Sequence, residues 1–188
     1  MNSPYIVAVG GTLRSGSSTE KAMQCVLDAA ARDGARTRLI SGSALQLPLY
    51  QPDNPERSDA ARALVAELAL ADGIILGSPG YHGSISGLVK NALDYAEDLR
   101  TDVRPYFSGR AVGCIATAGG WPGALNTLGA LRDIVHALRG WPTPLGAAIN
   151  SAEKVFDEQG ACQIPRVAQM LEIIAGEVMS FAASVRGG

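Results

Sequence analysis

The chain has 188 residues, 47% of them hydrophobic and 5% aromatic, and its 16 basic and 18 acidic side chains leave a formal net charge of −2. That length predicts one domain over residues 1–188 with a core able to fold alone, and the near-neutral charge offers no basic face for nucleic acid. Cys25, Cys114 and Cys162 are dispersed and form no C-x-x-C pair, and no charged leader or long apolar run is visible, so a reduced, cytoplasmic protein without a membrane segment is expected.

The apolar run Ile6 to Val9 predicts a strand buried on both faces, ending on Gly10 and Gly11. A loop of hydroxyls around one arginine follows, holding Thr12, Arg14, Ser15, Ser17, Ser18 and Thr19. Ser18 or Thr19 is expected to cap a helix running to Asp33, whose free N–H groups would point into that loop. Ala35 to Ile40 predicts an edge strand, and the prolines from Pro48 to Pro55 predict a loop. Ser58 should cap a helix from Asp59 to Ala71, striped by Ala61, Leu64, Val65 and Leu68. Gly73 to Ser78 is the third expected strand, and Ser86 to Glu97 the next helix. Ala111 to Ala118, a helix from Ala124 to Leu138, a strand from Leu145 to Ile149 and a closing helix from Ile164 to Val185 complete the order. Five alternations of strand and helix predict a doubly wound α/β sandwich around a parallel sheet, with a ligand outside the carboxyl ends of the strands. In the order 2-1-3-4-5, the glycine-rich exits of strands one, three and four become neighbours.

The first exit has the form of a phosphate cradle, but it lacks the Gly-Lys-Ser/Thr of a P-loop, and its glycines, Gly10, Gly11 and Gly16, do not make a dinucleotide fingerprint. A single terminal phosphomonoester fits the hydroxyls and the one guanidinium. The third-strand exit, Pro79 to Ser84, sets Tyr81 among small residues and exposed backbone, where a flat heterocycle could lie with donors from His82 and Ser84. Two histidines and no Gly-x-Ser-x-Gly argue against a hydrolase, and the same inventory offers no metal-ligand spacing.

Gly11-Thr12-Leu13-Arg14-Ser15-Gly16-Ser17, followed by Pro79-Gly80-Tyr81-His82-Gly83-Ser84 and Gly87-Leu88-Val89-Lys90-Asn91-Ala92-Leu93-Asp94, resembles the NADPH-dependent FMN reductases of the flavodoxin-like fold. The resemblance implies FMN as cofactor, with phosphate contacts from Thr12, Arg14, Ser17, Ser18 and Thr19. It places the ring along Pro79, Gly80, Tyr81, His82, Gly83 and Ser84, with its far edge at Thr117, Gly119 and Gly120. It further implies hydride transfer from NADPH or NADH, no dedicated catalytic acid or base, and a homodimer or homotetramer touching through the helix from Ser86 to Glu97. The acceptor stays open among a flavin-dependent monooxygenase fed with reduced flavin and a quinone, azo compound or chromate; a flavodoxin-like electron carrier is a third reading. Gly80 stands where the family often has glutamate, and Thr19 and His82 where asparagine is common. Arg139 to Pro144 resembles the alkanesulfonate-type branch.

Overall fold

The structure, a computed structural model, describes residues 3–186. The parallel strands β1 (Tyr5–Gly10), β2 (Arg36–Ile40), β3 (Gly73–Tyr81) and β5 (Ala111–Ala118) lie in the order β2-β1-β3-β5. This is the expected flavodoxin-like arrangement, with β2 at one edge. The fifth position differs in detail, because β6 (Trp141–Pro142) and β7 (Ala147–Asn150) share it, both parallel to β5. The expected strand from Leu145 to Ile149 corresponds to β7; β6 before it was not anticipated, and Pro142 and Pro144, which lack the N–H that a continuous ladder needs, lie between the start of β6 and β7.

Successive side chains of the buried strands point to opposite faces and meet different helices. Val7, Val9, Ile74, Leu76 and Val112 pack with Leu64 and Leu68 of α2 (Asp59–Leu70), Val89 and Leu93 of α3 (Gly87–Asp94), and Leu131 and Val135 of α4 (Trp121–Ala137). Ile6, Ala8, Ile75 and Ile115 pack with Met23 and Val26 of α1 (Ser18–Arg32) and with Leu171, Ile174 and Val178 of α5 (Pro165–Arg186). By length and composition Pro165–Val185 could cross a membrane, which differs from the reading that no such apolar run exists. Its row Val167, Leu171, Ile174, Val178 and Ala182 is buried against the sheet and α1, so that apolarity belongs to the core.

The loop expected from Ser41 to Pro55 is more ordered than its sequence suggested. Gly42–Leu45 forms a short 3-10 turn, and the proline-rich stretch after it is pinned to α3. The Asn91 side chain accepts from Tyr50 N at 2.9 Å and donates to Pro48 O at 2.9 Å, while the Tyr95 hydroxyl donates to Pro48 O at 3.0 Å. The Asn91 of the family-like motif is therefore an anchor for that loop. Ser58 caps α2 as expected, its hydroxyl accepting from Ala61 N at 3.2 Å.

Candidate functional site

At the first exit, steric closeness sets the chain direction. Gly10 has φ +147°, and an added Cβ would stand 1.8 Å from the Gly77 carbonyl oxygen of the neighbouring strand, so only glycine fits. The loop then folds on its own side chains. The Thr12 hydroxyl accepts from Arg14 N at 3.1 Å and meets the Arg14 carbonyl at 3.1 Å, closing a tight turn. Ser17, rather than Ser18 or Thr19, caps α1: its hydroxyl accepts from Glu20 N at 3.3 Å, and Glu20 in turn accepts from Gly16 N at 3.3 Å. The cap moves one residue earlier because Ser17 still has extended backbone while Ser18 is already helical. Ser18 is left free at the positive end of the helix. Among the described residues, the exposed Arg14 guanidinium makes no hydrogen bond or ion pair.

The second exit is a hairpin rather than a loop. The third strand runs on to Tyr81, turns through His82 and Gly83, and returns as β4 (Ser84–Ile85), with Tyr81 opposite Ser84 and Gly80 opposite Ile85. Both turn residues have positive φ, +51° and +88°, the two-residue geometry that suits the right-handed twist of a hairpin. Beneath it, the buried Ser78 hydroxyl accepts from Ser86 N at 3.0 Å, and Ser86 caps α3 through Val89 N at 3.2 Å. Tyr81 is 54% exposed, so it does not serve the core. Gly80 is closed to larger residues: a Cβ there would lie 2.4 Å from Thr127 Oγ1 and 3.1 Å from the Gly123 carbonyl oxygen of α4. The place where the family often carries glutamate is thus filled by α4 itself.

The third exit is shorter than expected. Helix α4 begins at Trp121, three residues before the expected Ala124, with Gly120 at its cap and proline in its first turn. Thr117 on β5 and Thr19 on α1 are both buried, and their hydroxyls meet at 2.6 Å, tying the first exit to the third.

These exits enclose a cleft of about 210 Å³ lined by Thr12, Arg14, Ser17, Ser18, Thr19, Pro79, Gly80, Tyr81, Thr117 and Gly119, together with Ala118 and Ser151. Ten of the fourteen expected site residues therefore share one cavity. Of the others, His82, Gly83 and Ser84 stand exposed on the hairpin, outside the lining, and Gly120 serves as the α4 cap. Ser151 was not anticipated; it arrives because its N–H donates to Ala118 O at 2.7 Å, a long-range contact with no local signal. An adjoining chamber of about 550 Å³ shares Thr12, Arg14, Pro79 and Tyr81 and adds Leu13, Ser86 and Leu88.

The donor set suits a phosphomonoester: an unpaired guanidinium, several hydroxyls and a helix N-terminus converge beside an apolar wall. Another cleft, of about 470 Å³, lies behind α1 and includes Glu20, Asp28 and Glu158 against Lys21, an acidic excess that disfavours an anion.

Residues 4–154 match the family described as NADPH-dependent FMN reductase. A relative from Staphylococcus aureus (strain USA300), "FMN-dependent NADPH-azoreductase", is 36% identical over 110 residues, covering 58% of this chain and 55% of the relative. The chain thus aligns with little more than half of that protein's length. Among solved structures, the flavoenzyme NAD(P)H:(acceptor) oxidoreductase FerB from Paracoccus denitrificans superposes with a TM-score of 0.76 at 20% identity, covering 96% of this chain and 98% of that one. The flavodoxin, WrbA-like protein from Agrobacterium tumefaciens gives a TM-score of 0.64 at 19% identity, with 97% and 99% covered. At these identities the likeness carries the fold alone.

Proposed function

The chain belongs to the NADPH-dependent FMN reductase family, and from that premise we propose that it binds FMN in the 210 Å³ cleft and transfers hydride from NADPH to it. The observation that carries this reading is the unpaired Arg14 guanidinium, facing the same cleft as Ser18 and the start of α1, with the Tyr81 hairpin opposite. Arg14, Thr12 and Ser18 would hold the phosphate dianion, and the positive end of α1 would add to their field. The backbone of Pro79 to Tyr81 and the Gly119 turn would border the ring. Bound FMN would supply the two-electron chemistry, taking hydride from the nicotinamide and passing it on. For the hydride step from the nicotinamide the protein needs only to position and desolvate, and the proton that a quinone or azo acceptor takes up with the hydride comes from solvent; Arg14 and Tyr81 are the ionisable side chains in the lining.

The test is direct. Purified protein is titrated with FMN, and NADPH and NADH oxidation are followed with FMN alone, with a quinone and with an azo dye. Saturable FMN binding and FMN-dependent NADPH oxidation are expected; a protein that binds no FMN and oxidises neither nucleotide would overturn the reading. Turnover only with excess free FMN favours donation of reduced flavin to a monooxygenase. Turnover of an azo compound on tightly held FMN favours the second reading, which the name of the Staphylococcus aureus relative supports. We place the protein in the cytoplasm as a single unit, where its free cysteines stay reduced. A homodimer or homotetramer meeting through the Ser86 to Glu97 region completes the proposal, and a monomer by light scattering would remove that part.

A further inference from the structure

Arg166, the second residue of α5, lies beyond the matched residues 4–154 and yet contacts the two segments next to the cleft. Its guanidinium carbon sits 5.4 Å from the centroid of the Trp121 ring, and its Nη2 meets Glu153 Oε2 at 3.2 Å. Trp121 opens α4 two residues after Gly119, and Glu153 stands two residues after Ser151; Gly119 and Ser151 both line the cleft. Arg166 therefore joins the two segments that carry Gly119 and Ser151, without itself lining the cleft. Its side chain remains 63% exposed, and the bond to Glu153 uses one donor of the guanidinium fork. Stacking on the indole restricts the guanidinium plane, so less freedom is lost when its other N–H groups grip a second oxyanion.

We propose that Arg166, held on Trp121, recognises the 2′-phosphate of NADPH and sets the preference for NADPH over NADH. This rests on the reading that the chain oxidises a nicotinamide dinucleotide. Two features favour a phosphomonoester on the dinucleotide. A planar guanidinium matches the paired oxygens of a phosphate bidentately, and Arg166 lies outside the lining of the cleft that holds the residues assigned to the FMN phosphate, so the two anions do not compete. Glu153 opposes the incoming charge while it orients the guanidinium, so it limits the preference.

The test uses full-length protein loaded with FMN. KM and kcat for NADPH and NADH are measured in wild type, Arg166→Gln, Arg166→Lys and Glu153→Gln. In parallel, 2′,5′-ADP and 5′-AMP are titrated calorimetrically into each protein with and without FMN. Loss of one charge-assisted contact should raise KM for NADPH by about tenfold in Arg166→Gln, with kcat and the KM for NADH changing much less. Arg166→Lys should recover part of the loss, and Glu153→Gln should lower KM for NADPH. Wild type should bind 2′,5′-ADP more tightly than 5′-AMP, and Arg166→Gln should erase that difference. An unchanged NADPH-to-NADH ratio with an unchanged 2′,5′-ADP affinity in Arg166→Gln would overturn the proposal. A change confined to a sulfonated azo acceptor would overturn it in favour of acceptor recognition. If wild type oxidises neither nucleotide, the enzymatic reading fails, and the 2′,5′-ADP titration still decides whether Arg166 holds a phosphate. Equal melting midpoints across the variants would show that the effects are not losses of folding.

Discussion

Two arginines, Arg110 and Arg14, mark opposite ends of the sheet, and they solve the problem of an unpaired charge in opposite ways. Arg110, just before β5, is fully buried, and its guanidinium donates to backbone carbonyls. Its Nε donates to Ala71 O at 2.8 Å, Nη2 to Ala69 O at 2.7 Å and Nη1 to Tyr106 O at 2.7 Å. Ala69 and Ala71 belong to the end of α2, where carbonyls lack partners within the helix and the dipole is negative. Burial lowers the Arg110 pKa to about 10. Arg14 has the same side chain, exposed, at the positive end of a helix and bonded to nothing among the described residues. The difference teaches how to tell a structural cation from a receptive one: the first has all its edges met by backbone, and the second has its donors waiting in a cleft of hydroxyls.

The largest expected effect follows from breaking the structural member of this pair. Arg110→Met keeps much of the apolar stem but takes the side-chain donor from Ala71 O and Tyr106 O, while Ala69 O still accepts from Arg104 Nη2 at 2.8 Å; a carbonyl left without a donor costs about 1–3 kcal/mol. A loss of at least about 2 kcal/mol of unfolding free energy is expected in urea titration, with FMN affinity of the folded protein unchanged. A midpoint shift too small to resolve would show that Arg110 is not the clasp for α2.

The alkaline limb of stability sharpens the same contrast. Burial raises the Cys114 thiol from 9.0 to about 12, and burial with the Glu67 hydrogen bond raises Tyr5 from 10.0 to about 12. In both cases the unfolded chain releases its proton first, so their stabilisation is complete below about pH 9 and is lost as pH rises toward 12. Arg110 has the opposite sign: its folded pKa lies below the ordinary guanidinium value, so above about pH 10 its contribution grows with pH. Arg110→Met should therefore steepen the fall above pH 10, and Cys114→Ala should flatten it from pH 9 upward. Identical slopes in urea midpoints from pH 8 to 11 for all three proteins would contradict these assignments.

Removing the receptive arginine should do the reverse of removing the buried one. Arg14→Ala is expected to weaken FMN binding at least tenfold, about 1.5–3 kcal/mol for a charge-assisted phosphate contact, while the urea midpoint of the FMN-free protein stays put. Unchanged affinity by flavin fluorescence titration would remove Arg14 from the phosphate site.

The first exit was largely legible because its determinants are local. The apolar run to Val9, the glycines and the run of hydroxyls all act within a few residues, and the only misplacement was the cap, Ser17 instead of Ser18 or Thr19. The second exit was read as a loop because Pro79 normally interrupts a sheet. Here β1 has already ended opposite Gly77, so Pro79 has a single neighbouring strand and its missing N–H costs no ladder bond. The helix expected from Ala124 starts earlier, at Trp121, with Pro122 in its first turn, where proline is a start signal. Ser151 and the Thr19–Thr117 bond were not legible at all, since each joins residues far apart in sequence. The same holds for Arg110, whose partners lie 39 and 41 residues away.

The smallest effect concerns the one acidic neighbour of the receptive site. Glu20 accepts from Gly16 N and from the Ser41 hydroxyl at 3.0 Å, so it steadies the loop while placing a negative charge behind a proposed phosphate. Arg110, by contrast, donates its hydrogen bonds to neutral carbonyls. Glu20→Gln preserves an acceptor for Gly16 and removes the charge. Two like charges across several ångströms of solvent interact by about 1 kcal/mol or less, so FMN should bind up to about fivefold more tightly in low salt. At molar ionic strength the Debye length falls to about 3 Å, and the advantage should vanish. A gain that survives high salt would mean that Glu20 acts on the loop's shape rather than its field, and weaker binding at every salt concentration would mean that the carboxylate's grip on Gly16 outweighs the repulsion.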